Sequence, residues 1–369
     1  MTGRRGCPVA AYTTPEIRPQ TGPSASPGPG TDANLLGCVP PAGARAYPAR
    51  MGDDEVLAWL RDSDPSLRWK VERDLLDEPE ATWQAARARV AHEGFGAQLL
   101  AAQGEDGLWA GGAHFPADFP EDEPQPWTAT SWSLMSLREW GVDADALRPD
   151  TAGLLKRNAR WEYDDLPFWD GEVDACINAF TLASGAWLGA DVSGIRDWFV
   201  THRLPDGGWN CEWVEGSTKS SFHSTLNAVI GILDDEWRSG GTPELHAARK
   251  AGEEYLLERR LLYRLSTGER HVWAHHLGYP FRHRYSALRA LDHFRAAALH
   301  DGEAPDPRLS EAVDRVRASR DPDGTWHQAY PMDGAVWFPV DVPAGEPSRW
   351  LTFFALRVLR WWDGARASA

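Results

Sequence analysis

Pro205-Asp206-Gly207-Gly208-Trp209 recurs as Pro322-Asp323-Gly324-Thr325-Trp326 and, earlier, as Gly104-Glu105-Asp106-Gly107-Leu108-Trp109. Weaker copies are Pro167-Phe168-Trp169-Asp170-Gly171 and His271-Val272-Trp273. Asp-Gly permits a tight turn with positive φ. The tryptophan that follows buries a large ring on a short tether, plugging the gap between neighbouring helical hairpins. Polar-patterned helices such as Ser193–Arg203, Pro243–Arg260 and Pro307–Arg320 end in these loops.

After each loop comes an amphipathic or largely apolar helix, rich in Ala and Leu. The copies are Leu67–Leu76, Trp127–Trp140, Val173–Leu188, Phe222–Trp237, Phe281–Phe294 and Arg349–Trp362. Five of them share a core, read as SLMSL (133–137), AFTLA (179–183), AVIGI (228–232), ALRAL (287–291) and ALRVL (355–359). Anchored on the first residue of each core, the gaps are 46, 49, 59 and 68, a period near 55. That suits two helices with long loops. The order outer helix, tryptophan loop, inner helix therefore repeats about six times. Inner helices apolar on most sides meet both a central space and an outer ring. Closing the array removes its exposed end repeats. The expected fold is all-α, a single α/α toroid of about six hairpins.

The repeats leave out the first fifty residues, which hold nine prolines, seven glycines and none of the 20 tryptophans. Five arginines against Glu16 and Asp32 give this leader +3; the whole chain carries −16, so the remaining 319 residues carry −19. Such a composition cannot offset ordering entropy, which predicts a disordered Pro/Gly-rich leader over 1–50. The helical pattern beginning at Glu55 predicts translation from Met51, with Met1 as the alternative. The domain is expected over 51–369. Its acidity argues against nucleic acid, where Lys and Arg must replace counterions. No apolar run approaches the ~18 residues that cross a bilayer. Four cysteines form no disulfide framework and point to the reducing cytoplasm.

The DGxW-type loops between paired helices resemble the repeats of the α/α-toroid superfamily of protein prenyltransferase β-subunits and squalene–hopene-type terpene cyclases. The resemblance covers roughly residues 60–362 and implies an isoprenoid substrate. One such fold hosts many chemistries, so the residues at the inner-helix starts must decide among them.

Five residues before the anchors stand Thr128, Asp174, His223, Arg282 and Trp350; three before stand Thr130, Cys176, Thr225, Arg284 and Thr352. Asp174, Cys176 and His223 are carboxylate, thiolate and imidazole from adjacent helix starts, a donor set suited to catalytic Zn²⁺ with one open position. A helix N-terminus also lowers a thiol pKa. Asn178 and Asn227 each follow four residues later on the same face. Taken singly, Asp174 reads as an N-cap, Cys176 as a small core residue and His223 as a satisfied buried histidine. Cys211, in Trp209-Asn210-Cys211-Glu212-Trp213, reads as packing first and as a further ligand or redox thiol second.

Val173-Asp174-Ala175-Cys176 is similar to the zinc-binding segment of prenyltransferase β-subunits, and Phe222-His223-Ser224-Thr225 resembles the segment supplying their third ligand. The resemblance implies a zinc-activated thiol acceptor attacking a prenyl diphosphate. Where that family places an Arg and a Lys before its zinc segment, this chain has Asp164, Asp165, Asp170 and Glu172. A diphosphate there needs Mg²⁺, or cations from Arg282, His283 and Arg284. The second reading is a metal-independent class II terpene cyclase with Asp174 as general acid. Trp127, Trp169, Phe222 and Trp350 would then stabilise carbocations through cation–π contact. The third is a non-catalytic isoprenoid- or peptide-binding module. A partner subunit is left open.

Overall fold

The computed structural model describes residues 51–120 and 123–367. The expectations for the leader and the start site lie outside these residues. The described secondary structure is helical, with no strand among the described residues beyond isolated bridges. The α-helices are α1 (Asp53–Arg61), α2 (Pro65–Asp74), α3 (Glu80–Ala88), α4 (Gly94–Ala101), α5 (Thr130–Trp140), α6 (Thr151–Asn158), α7 (Ala175–Leu188), α8 (Ser193–Thr201), α9 (Phe222–Ser239), α10 (Pro243–Glu258), α11 (Ala287–Asp301), α12 (Ser310–Ala318) and α13 (Arg349–Ala367). No helix among the described residues is long and apolar enough to cross a membrane.

Inner helices α2, α5, α7, α9, α11 and α13 form a closed ring. Trp69 Nε1 of α2 donates to Trp140 O of α5 at 2.8 Å. Between α9 and α11, Arg289 donates to Asn227 Oδ1 at 2.7 Å. Arg357 of α13 binds Asp292 of α11 at 2.6 Å and Asp74 of α2 at 3.2 Å. In the outer layer, Met51 N donates to Asp323 O at 3.1 Å, joining the first hairpin to the last. This is the α/α ring that the repeats predict.

The tightest inner pair is α7 and α9. A Cβ on Gly231 would stand 2.5 Å from Ala179 O, closer than real contacts allow. Gly231→Ala should therefore push the two helices apart, costing about 1–3 kcal/mol in denaturant unfolding.

The three strong loops share one construction. The indole N–H groups of Trp109, Trp209 and Trp326 donate to Leu99 O (2.7 Å), Phe199 O (3.0 Å) and Val316 O (2.8 Å). Each acceptor lies ten residues upstream, in the last turn of the outer helix, where carbonyls lack their regular i+4 amide donors; Leu99 O and Val316 O are also reached by the amides three residues on, at 3.2 and 3.3 Å. The backbone N–H of each tryptophan donates to a threonine on the following inner helix: Thr130, Thr225 and Thr352, at 3.0–3.1 Å.

The predicted start of the fifth inner helix is corrected. Residues 281–286 form a loop, and α11 begins at Ala287. Arg282 sits at φ +48, outside helical space. Ser286 caps the helix by accepting from Arg289 N. Arg282, His283 and Arg284 are loop residues and share no helix face.

Candidate functional site

At the start of α7, Asp174 occupies the N-cap position, but its side chain makes no capping bond. Instead its backbone N–H donates to Glu172 Oε2 at 2.8 Å. Asn178 exchanges hydrogen bonds with the Glu172 backbone, giving 2.7 Å and 2.8 Å. Gly171, at φ +76, makes room: a Cβ there would lie 2.4 Å from Asn178 Oδ1. Asn178 thus fixes the loop that carries both carboxyls. Burial raises the Asp174 carboxyl to about 6, against a hydrogen bond from the Cys211 thiol that pulls it down. Burial, followed by the Asp174 charge, raises Glu172 to about 7.

Cys211 is brought to this cluster by the turn Cys211–Glu215, which Trp213 Nε1 pins to Val173 O at 2.8 Å. Its sulfur lies 3.4 Å from Cys176 Sγ and accepts from Ser224 Oγ at 3.3 Å. Contact with Cys176 and burial push the Cys211 thiol well up. Asn227 Nδ2 donates to Cys176 Sγ at 3.3 Å and to the carbonyls of His223 and His283.

His223 faces elsewhere. Its ring packs against Trp273 (5.5 Å), His271 and Tyr285, and burial lowers its pKa to about 3, leaving it neutral. Asp174, Cys176 and His223 do not gather their donor atoms within 4.8 Å of one another; among the described residues Glu236, His300 and Asp301 do. The Arg249 guanidinium binds that carboxylate pair, at 2.8 Å from Glu236 and 2.7 Å from Asp301. An ion-pair network explains the cluster.

Beside Cys176 lies an aromatic cluster distinct from the main core, formed by Trp127, Trp132 and Phe180 with Cys176, Met135 and Met332 against it. His283 joins it, 5.8 Å from Trp127 and 6.0 Å from Trp132, and is held neutral by burial. The Arg282 guanidinium lies over the Trp127 ring at 4.3 Å. The other aromatic candidates pack into the main core. Trp169 bonds Ala152 O, Phe222 packs on Tyr285, and Trp350 stacks on Tyr279 at 4.4 Å.

Phe180 and Arg282 continue from this cluster into a cavity of about 290 Å³ between the inner helices. The cavity also takes in Lys70, Arg138, Glu139, Arg289 and Arg357, from α2, α5, α11 and α13. Sequence reading missed Lys70, Trp132, Phe180 and Arg289. Trp132 and Phe180 are large rings on an inner helix, which periodicity alone assigns to packing, and Lys70 and Arg289 stand among other charged residues of α2 and α11, so the sequence does not single them out.

No family model matches the chain, and no curated protein matches it. Among solved structures it is similar to a protein from Actinoplanes, at 17% identity over 82% of this chain and 90% of that one, with a TM-score of 0.40.

Proposed function

We propose that this chain is an isoprenoid-handling enzyme of the cytoplasm, working on a small hydrophobic substrate inside the helical ring. The observation that supports it is the aromatic cluster of Trp127, Trp132 and Phe180, set apart from the packing core, against which Cys176 packs two residues after the buried Asp174 carboxyl. Ring faces suit a polyene and any cation formed from it. Asp174 is the candidate general acid, because burial lets it hold a proton near pH 6. It would give that proton to an alkene, and the resulting cation would lie against the rings.

The zinc form of this reading requires Asp174, Cys176 and His223 to converge. His223 is turned toward Trp273, and the neighbour of Cys176 is Cys211. The residues as placed do not fit that ion, so no step is drawn through it. Mg²⁺ likewise has no part in the acid reading.

The test is incubation of the metal-free protein with short polyprenes and their diphosphates, followed by product analysis. Turnover is expected in the wild type and absent in Asp174→Asn. The rate should be highest below pH 6 and fall about tenfold per unit once the Asp174–Glu172 pair has lost its protons. Stoichiometric zinc, lost in Cys176→Ala and His223→Ala, would replace the acid form with the metal form. Neither binding nor turnover of any isoprenoid would overturn the substrate class.

A further inference from the structure

The cavity on the ring axis is cationic in a chain of net charge −16. Four cations there, Lys70, Arg138, Arg282 and Arg289, all lie within electrostatic reach of Glu139. They come from α2, α5, the loop before α11 and α11 itself, so the ring closes them around one space.

Their partners differ. Arg138 pairs with Asp234, and Arg357 pairs with Asp292 and Asp74. Arg289 has only neutral acceptors, Asn227 Oδ1 and Arg284 O. Lys70 and Arg282 have neither a hydrogen bond nor an ion pair among the described residues. Each meets only an indole face, Lys70 over Trp69 at 4.4 Å and Arg282 over Trp127 at 4.3 Å. Yet their exposures are 8% and 9%. Buried Arg282 Nε has no acceptor. The remaining acid, Glu139, accepts from Tyr279 Oη at 2.8 Å and makes no ion pair within 4 Å among the described residues. Three buried cations without a carboxylate partner thus face one carboxylate, and the exposed Arg238 adds a further positive charge to the lining. His293 also faces the cavity but is bound to Glu253 at 3.0 Å.

Burying a charge without a counter-charge is costly, and the side chains show it. Desolvation, then Arg357, pulls Lys70 down to about 7, and desolvation pulls Arg282 down to about 9. A ligand with two negative charges would cancel the excess of cations. Phosphoryl oxygens accept the several N–H groups that a lysine and two guanidiniums present. Met135, Ile230, Phe281 and Phe354 also line the cavity and offer apolar surface to a short chain attached to that group.

We propose that the axial cavity is a binding site for a phosphate or diphosphate group, held by Lys70, Arg282 and Arg289. The site is separate from the acid at the start of α7, and the proposal stands whether or not the chain turns over an isoprenoid. The same oxyanion chemistry has two sources, a free inorganic anion or the head group of a short amphiphile.

The test is calorimetric titration with inorganic diphosphate, geranyl diphosphate and geraniol at pH 6.5. At least one of the two diphosphates is expected to bind, with Lys70→Met and Arg282→Met each weakening it about tenfold or more. Geranyl diphosphate binding at least tenfold tighter than inorganic diphosphate identifies a head group; equal affinity identifies the free anion. Above pH 7 affinity should fall in the wild type as Lys70 loses its proton, and hold in Lys70→Arg. Lys70→Met should also raise the thermal midpoint of the phosphate-free protein, because it removes an uncompensated buried charge; that result shows the variant is folded. Binding of neither anion, or binding unchanged in both methionine variants, would overturn the proposal, as would geraniol binding as tightly as its diphosphate.

Discussion

Arg249→Met should lower the unfolding free energy by about 3–5 kcal/mol at pH 7, measured as a drop in urea midpoint at unchanged slope. Arg249 is fully buried. Its Nε binds Glu236 Oε2 at 2.8 Å, and its two terminal nitrogens bind Glu253 Oε1 and Asp301 Oδ1 at 2.7 Å each. One guanidinium thus holds carboxylates from α9, α10 and the end of α11. Methionine keeps much of the volume and removes the charge, so the cost comes from acids left without their cation. Lys250 would still reach Asp301 (3.3 Å) and Glu253 (3.4 Å), but it is more exposed and its contacts are longer. The pH dependence separates this from a packing defect. In the wild type, burial opposes and His293 and Arg249 favour ionisation of Glu253, and the net effect lowers it to about 2. Its contribution is complete above the ordinary glutamate range and is lost only as pH falls through about 2. In Arg249→Met the stranded acids take up protons at higher pH, which relieves their burial. The gap between the two proteins should therefore shrink by at least about 1 kcal/mol between pH 7 and pH 4.5. A gap constant with pH would mean that the lost contacts were steric.

The ring was legible in the sequence because its repeat is written in residues with strong local preferences. Asp-Gly marks the turn, the tryptophan marks the plug, and the apolar helix follows. The candidate site was legible only in part, for a reason that the loops explain. The position three before each anchor is Thr130, Thr225 or Thr352 where the tryptophan is fully buried, and there the hydroxyl accepts from its backbone N–H. At the weaker loops of Trp169 and Trp273 the same position holds Cys176 and Arg284. Cys176 is freed from holding a loop and turns to Cys211 and Asn227. That exception to the repeat was visible in the sequence. Its partner was not, because Cys211 reaches it through a short turn whose position depends on Trp213 meeting Val173. Helix register likewise could not show that 281–286 leaves the helix, or that Arg282 then shares a cavity with Lys70, over two hundred residues earlier.

The last loop lies at the seam where the ring closes, so Trp326→Ala should cost about 3–5 kcal/mol and open that seam first. The Trp326 ring is fully buried, and its Nε1 donates to Val316 O at 2.8 Å. Its own N–H reaches Thr352 Oγ1 at 3.0 Å. Three residues before it, Asp323 O accepts from Met51 N, and a Cβ on Gly324 would meet Met51 O at 3.2 Å. Loss of the indole thus removes apolar burial, takes one donor from a helix-end carbonyl that Ser319 still serves, and loosens the loop that docks the first hairpin. Three variants separate these terms. Trp326→Phe keeps most of the ring and loses the N–H, so it should cost less than the alanine by the packing share and only about 0.5–1.5 kcal/mol for the lost hydrogen bond, because Val316 O keeps the Ser319 hydroxyl at 2.8 Å. Thr352→Val leaves the ring and removes the acceptor for the backbone N–H, with a similar loss. Trp209→Ala makes the same change away from the seam. Hydrogen exchange should then show faster opening of α1 in Trp326→Ala than in Trp209→Ala at matched global stability, since only the former loop carries the Met51 contact. Equal protection of α1 in the two variants would mean that the ring is held shut by Arg357 with Asp74 and Asp292, and that the tryptophan loop contributes only its own burial.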